Sequence, residues 1–200
     1  VRKRIVLTGG PGAGKTAVLE LVRQYFCVHV RVLPESAGIL FGGGFPRGLG
    51  LLQRTAEQRA IYHVQCELET IAEASDHSAI VLCDRGTVDG SAYWPGPGTL
   101  FEAVGSSRER EFARYDTVIH LRTPPPESYN HDNPLRVESA AEAARIDARI
   151  AEAWAGHLRY LVVANTTDFL DKAHRALELL RAELPACCRE HLLPGEPVAS

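Results

Sequence analysis

Short apolar runs recur along the chain, each followed by a stretch long enough for a helix. The runs are "RIVLT" (Arg4 to Thr8), "VHVRVL" (Val28 to Leu33), "AIVLCD" (Ala79 to Asp84), "DTVIHLR" (Asp116 to Arg122) and "RYLVVAN" (Arg159 to Asn165). They are rich in β-branched residues and nearly continuous in apolar character, which predicts strands covered on both faces. After the first run, Val18, Leu19, Val22 and Phe26 fall on one face of a helix over Lys15 to Phe26. Further helices are predicted near Leu52 to Ala74, Thr99 to Arg114, Ser139 to Ala155 and Asp168 to Glu183. Strands alternating with helices imply an α/β fold with a parallel sheet between two helical layers. The 200 residues suit one domain. We expect it to span residues 1–185, with 186–200 as a C-terminal tail. Sheets of this kind bind ligands outside the carboxyl ends of their strands, so the residues closing each strand come next.

The loop after the first strand reads Gly9-Gly10-Pro11-Gly12-Ala13-Gly14-Lys15-Thr16, the G-x-x-x-x-G-K-[ST] pattern of a phosphate-binding loop. Glycines let successive N–H groups curl around phosphate oxygens. Gly10 to Gly14, with Lys15, Thr16 and Ala17, are therefore expected to hold a nucleotide's phosphates. Lys15 would reach the β- and γ-phosphates and the Thr16 hydroxyl would bind Mg²⁺. A strand before the loop and a helix after it supply the context the motif needs, and the helix N-terminus adds its dipole.

Glu35 follows the second strand, where a carboxylate can orient or deprotonate a hydroxyl attacking a γ-phosphate; a surface glutamate beside a helix cap at Ser36 is the plainer reading. Asp84 closes the third strand in the Walker-B position, suited to Mg²⁺. Arg85 follows with a planar fork that fits phosphate or carboxylate. Asp89, five residues past Asp84, fits a substrate hydroxyl about as well as it fits a turn. Tyr93 and Trp94 read as core plugs before ring-stacking groups. Arg54, Arg59, Gln65 and Glu69 include possible substrate contacts, although a solvated helix face explains them equally. The run "FGGGFPRGLG" (Phe41 to Gly50) reads as a mobile loop by the acceptor site. A charged helix capped at Ser139, with Glu142 at its third position, carries Arg145 and Arg149, and Arg136 lies just before it. A lid arginine is the natural stabiliser of γ-phosphoryl charge; Arg136 or Arg145 is the expected one, with Arg149 structural. Asn165, at the last strand's end, is placed to meet the nucleotide base.

Charged residues make up 24% of the chain and the net charge is -3, so no polyanion-binding surface is indicated and no nucleic-acid motif supports one. No apolar run reaches the ~18 residues of a membrane helix, and the chain opens on a strand rather than a signal peptide. Five cysteines, odd in number and without disulfide-like spacing, fit a reducing cytoplasm. Cys83 reads as a buried thiol. Cys187, Cys188 and His191 read as part of a tail with no further metal ligands.

Taken in order, "GGPGAGKT", "LPESAG", "CDRGTVDGSAYW", "PPPESY", "LRVESAAEAARIDARI" and "VVANTT" resemble P-loop kinases of the nucleoside and nucleotide type. More narrowly, they resemble the AAA-domain family of small ATPases that groups with ribosylnicotinamide kinase domains. The resemblance covers nearly the whole chain. It implies a three-layer fold with a five-stranded parallel sheet of order 2-3-1-4-5, a helical lid about 125–157, and a bound nucleotide with Mg²⁺. Two functions follow. One is an ATP-dependent phosphotransferase (GTP is also possible) acting on a nucleoside- or nucleotide-like acceptor as a monomer or homodimer. The other is a nucleotide-binding switch with slow hydrolysis, although "ANTTD" does not supply the N-K-x-D guanine signature.

Overall fold

The computed structural model describes residues 2–74, 78–125, 139–166 and 168–188, the Cys187 side chain excepted. Its strands are β1 (Lys3–Thr8), β2 (Val30–Leu33), β3 (Ile80–Asp84), β4 (Thr117–Leu121) and β5 (Tyr160–Val163). They form one five-stranded sheet in the order β2-β3-β1-β4-β5, every pairing parallel. The helices are α1 (Lys15–Tyr25), α2 (Ser36–Gly42), α3 (Leu51–Glu73), α4 (Leu100–Ala103), α5 (Arg108–Phe112), α6 (Ala140–Trp154) and α7 (Phe169–Glu183), with 3₁₀ turns at Thr87–Ala92 and Ala186–Cys188.

The period of two in β1 divides the core. Ile5 and Leu7 point to one face, where they meet Val18, Leu19 and Val22 of α1 and Ala173, Ala176 and Leu177 of α7. Val6 points to the other, where Ala72 of α3 and Ile150 and Trp154 of α6 close over it. Full burial of such a side chain contributes about 1.5–3 kcal/mol, and a one-residue slip of β1 would swap the two sets between cores shaped for the other.

Three differences from the sequence reading have local causes. The single helix predicted over Thr99 to Arg114 is two. Gly105 takes a left-handed φ of 70°, a conformation that ends helices, and Ser107 then caps α5 by accepting from the Arg110 N–H at 3.3 Å. Gln65 and Glu69 are not a solvated face: both are buried. Gln65 donates to Glu69 at 2.9 Å, and Glu69 also pairs with Arg4 and Arg114 and accepts from the Tyr115 hydroxyl. Finally, α6 begins at the predicted Ser139–Glu142 capping box, but it lies against the sheet. Ala143, Asp147, Ile150 and Trp154 form its buried stripe, so this part of the stretch expected as a lid is a packed layer. Residues 126–138, the rest of that stretch apart from its flanks, lie outside the described residues.

Packing also continues past residue 185. Cys188 is buried in the core shared by α1 and α7, so the ordered fold reaches into the stretch expected as a tail.

Candidate active site

The loop between β1 and α1 is held in shape by its glycines and by what surrounds it. Gly9, Gly12 and Gly14 have φ of 140°, 75° and 94°, all in the region that favours glycine. A Cβ on Gly9 would sit 2.1 Å from the Leu121 carbonyl oxygen, and one on Gly14 2.4 Å from the Phe169 ring. No side chain caps α1 at Gly14. The first-turn N–H groups, with Thr16 and Ala17 exposed beside them, are the anion-binding end of a helix.

Three residues outside the motif brace this loop. Asp147 of α6 accepts from the Gly10 N–H at 3.0 Å and from His120 Nε2 at 2.8 Å. Its other oxygen pairs with Arg122 at 3.0 Å. Burial alone would raise the Asp147 carboxyl; the bonds from His120 and Gly10 hold it below the usual range instead. Thr123 donates to the Pro11 carbonyl at 3.1 Å. Lys172 of α7 donates to the Ala13 carbonyl at 2.9 Å, and burial pushes its ammonium down to about 8.

Lys15 reaches back to the Gly9 and Gly10 carbonyls at 2.9 and 3.3 Å. Burial, then Arg85, lowers its pKa to about 8 against the opposing pull of Asp84, Glu35 and Asp89. Asp84, at the end of β3, has its Oδ1 buried without a hydrogen-bond partner among the described residues. Burial pushes the Asp84 carboxyl up to about 6, with Lys15 pulling the other way. A buried, unsatisfied carboxylate oxygen beside the phosphate loop is what a hard divalent cation or its bound water would satisfy. Together with the exposed Thr16 hydroxyl, this donor set fits Mg²⁺.

Arg85 is the one non-glycine residue with a left-handed φ, 71°, among those described. This rare conformation turns its side chain onto the end of β2. There Nε donates to Glu35 Oε1 at 2.7 Å and Nη1 to Asp89 Oδ1 at 3.3 Å. Burial works to raise the Glu35 carboxyl. Arg85, through charge and hydrogen bond, then Lys15 and Arg47 outweigh it and lower the carboxyl's pKa.

Glu35 and Arg85 line a cleft of about 650 Å³ that also touches Pro11 of the loop. Its walls also include Arg47, Arg54, Glu57 and Tyr93. Arg47, which the sequence reading passed over, lies 4.0 Å above the Phe41 ring; an arginine inside a glycine-rich loop was the available signal. Glu57 fixes that loop by accepting from the Gly48 N–H at 3.0 Å.

Of the sequence-predicted residues, Lys15, Glu35, Asp84, Arg85 and Asp89 converge on one another, and Arg54 joins them on the cleft wall. Asp89 lines the cleft but is 2% exposed. It accepts from Thr8 Oγ1, from the Gly86 N–H at 3.0 Å and from Trp154 Nε1 at 3.0 Å, besides Arg85. Asn165 is also engaged within the protein: it donates to the Thr123 carbonyl at 2.7 Å and accepts from Lys172 at 3.0 Å. Arg145 projects to solvent with its side chain 75% exposed, its guanidinium 4.0 Å from Glu142. Arg136 lies outside the described residues. Asp147 and Lys172 escaped sequence reasoning. Their signal was a charged residue set on the apolar stripe of its helix.

Fold and loop together define a P-loop NTPase domain of the kinase-like type. More narrowly, a family profile described as an AAA domain matches residues 4–172, and the chain belongs to that family. No curated protein matches the chain. Among solved structures, the crystal structure of NadR protein in complex with NR superposes with a TM-score of 0.69 at 16% identity. The match covers 91% of this chain and 51% of that one, so the chain spans about half the length of the NadR chain. At this identity the likeness is one of fold. No helix among the described residues is long and apolar enough to cross a membrane.

Proposed function

We propose that the protein is an ATP-dependent phosphotransferase that moves the γ-phosphate to a hydroxyl of a small, nucleoside- or nucleotide-like acceptor. The observation that carries this reading is the cleft of about 650 Å³ walled by Glu35 and Arg85 beside the phosphate loop. Its size is that of a small-molecule site, and it adjoins the place where a γ-phosphate would lie. A switch that only binds and hydrolyses nucleotide needs no such second chamber. The resemblance to ribosylnicotinamide kinase domains and the similar fold holding NR support an acceptor of this class.

Each residue's role follows from its surroundings. The loop amides and Lys15 hold the β- and γ-phosphates. Thr16 and Asp84 would hold Mg²⁺, which supplies charge neutralisation on the phosphate oxygens. Glu35, kept ionised by Arg85, accepts the acceptor's O–H and aims its oxygen at phosphorus. A carboxylate with a lowered pKa is a weak base. It suffices because phosphoryl transfer runs through a loose transition state in which positioning outweighs proton removal. Arg85 stands where it can neutralise charge on the transferred group or on an acidic acceptor. Arg47 and Arg54 on the cleft wall favour an acceptor that carries an anionic or carbonyl group besides its hydroxyl. Arg136 belongs to this proposal as the lid cation for γ-phosphoryl charge; Arg145, on the packed α6 with its side chain turned to solvent, does not.

The test is ADP release from Mg-ATP with and without pooled nucleosides, nucleotides and sugar-like metabolites, beside Lys15→Ala and Glu35→Ala. One pool is expected to raise the rate many-fold, and both variants to abolish the rise. If nucleotide binds but no pool changes the rate and Glu35→Ala matches the parent, the kinase reading fails for the acceptors tested and the switch reading gains.

A further inference from the structure

Cys27, His29 and Cys188 meet at the end of the sheet where the strands begin, remote from the phosphate loop. Cys27 follows α1, His29 immediately precedes β2, and Cys188 ends the last 3₁₀ turn. Cys27 Sγ lies 3.2 Å from Cys188 Sγ, and His29 Nδ1 lies 3.1 Å from each sulfur. Three soft or borderline ligand atoms thus form a nearly equilateral triangle, brought together from positions 161 residues apart. The tail was expected to lack further ligands; the packing of its start against α1 and β2 supplies two.

We propose that Cys27, His29 and Cys188 form a zinc site. Hard cations such as Mg²⁺ and Ca²⁺ take oxygen ligands, whereas two sulfurs and one imidazole nitrogen match zinc's preference. An ion at ordinary Zn–S and Zn–N bond lengths, in tetrahedral geometry, spaces two thiolates ~3.8 Å apart and a thiolate from a nitrogen ~3.6 Å. Each edge of the triangle therefore opens by about half an ångström on loading. Cys27 and His29 are half-buried and Cys188 is buried, so the ion enters from the Cys27–His29 side. Binding displaces one proton from each thiol, two per ion, and the two thiolates balance the dication. His29 binds through the Nδ1 lone pair as neutral imidazole, its proton on Nε2. The fourth position is left to water or a further ligand. The site's consequence is structural: it clamps the end of α1 and the start of β2 to the end of the ordered chain.

The test titrates the reduced, metal-stripped full chain with Co²⁺, then displaces it with Zn²⁺. We expect one equivalent of Co²⁺ to raise an intense near-ultraviolet thiolate-to-cobalt band with two protons released per ion bound, one equivalent of Zn²⁺ to bleach it with no further proton release, and the thermal midpoint to rise by several degrees with Zn²⁺. Cys27→Ser and Cys188→Ser should lose the band and the Zn²⁺-dependent rise. His29→Asn should weaken binding at least tenfold. Cys66→Ser, on α3 and away from the cluster, should keep the band. Far-ultraviolet circular dichroism checks each fold; if Cys188→Ser unfolds, Cys27→Ser and His29→Asn decide. The proposal is overturned if the parent shows no band, if the band survives Cys27→Ser, or if mild oxidation consumes the Cys27 and Cys188 thiols as a disulfide while the reduced protein takes up no metal.

Discussion

Arg85 Nε donates to Glu35 Oε1 at 2.7 Å, and this ion pair joins the ends of the neighbouring strands β2 and β3. The contact depends on Arg85 holding a φ of 71°, a conformation that costs about 1–3 kcal/mol for a residue with a side chain. Arg85→Ala should lower kcat/KM for the acceptor reaction by about 10²–10³-fold, the usual effect of removing one aimed donor. Arg85→Lys should recover only part of that, because an ammonium lacks the fork. Nucleotide affinity measured by calorimetry should change far less than kcat/KM; equal losses in both would move Arg85 from the acceptor to the nucleotide.

Asp84 should lower stability while serving metal binding. Its folded pKa of about 6 lies above the ~3.9 of an unfolded aspartate. Between those values the folded state binds more protons, so stability falls as pH rises from about 4 to about 6 and stays lowered above. Asp84→Asn should therefore be the more stable protein at pH 7.5, by up to about 3 kcal/mol, with the gap closing towards pH 4. Urea melts at the two pH values test this. The same variant should lose the extra affinity that Mg²⁺ gives to ATP.

Lys15, with a pKa of about 8, predicts how the loop responds to alkali. Its charge is present below that value and is lost above it in the free protein. ATP affinity should hold steady from pH 6.5 to 7.5 and weaken by up to tenfold per pH unit above about 8. Lys15→Ala should bind weakly with no such slope. A parent whose affinity stays flat to pH 9.5 would contradict the assignment.

Asp89 separates architecture from recognition. Its carboxylate accepts from Thr8, Arg85, the Gly86 N–H and Trp154 at once. Asn turns one acceptor into a donor facing those donors, so Asp89→Asn should cost about 3 kcal/mol of folding stability. A residue that only bound substrate would raise KM and leave the denaturation midpoint alone. Melting both proteins before any assay distinguishes the two roles.

Gly9 has no room for a methyl group. Its φ is 140°, and a Cβ would approach the Leu121 carbonyl oxygen to 2.1 Å. Gly9→Ala should destabilise the fold by at least about 2 kcal/mol and weaken ATP binding, both readable in one thermal-shift series with and without Mg-ATP.

Local signals in the sequence reached the sheet, the loop and the cleft's near wall. Strand periodicity and the glycine pattern are short-range properties, and Glu35, Asp84 and Arg85 each sit directly at the end of a strand. Positions fixed by tertiary packing escaped it. Asp147 looks like one more charge on a charged helix until α6 is laid on the sheet, which carries its carboxylate to the Gly10 N–H. Asn165 closes a strand where a base-reading residue belongs, but Lys172, a turn away on α7, takes its oxygen. Gln65 and Glu69 read as solvated only because their partners, Ser36, Arg114 and Tyr115 among them, are distant in the chain. Cys188 similarly gained its neighbours from the far end of the sequence.

The bond from Trp154 Nε1 to Asp89 Oδ2 at 3.0 Å gives the protein an optical probe of its own cleft. Trp154 is fully buried, and its indole stands three contacts from Glu35, by way of Asp89 and Arg85. The chain has only one other tryptophan, Trp94, so Trp94→Phe leaves a single emitter. An acceptor that draws Arg85 away from Asp89 changes the field at that indole, and its emission will shift without any label, giving a direct titration for ligands that turn over too slowly to assay.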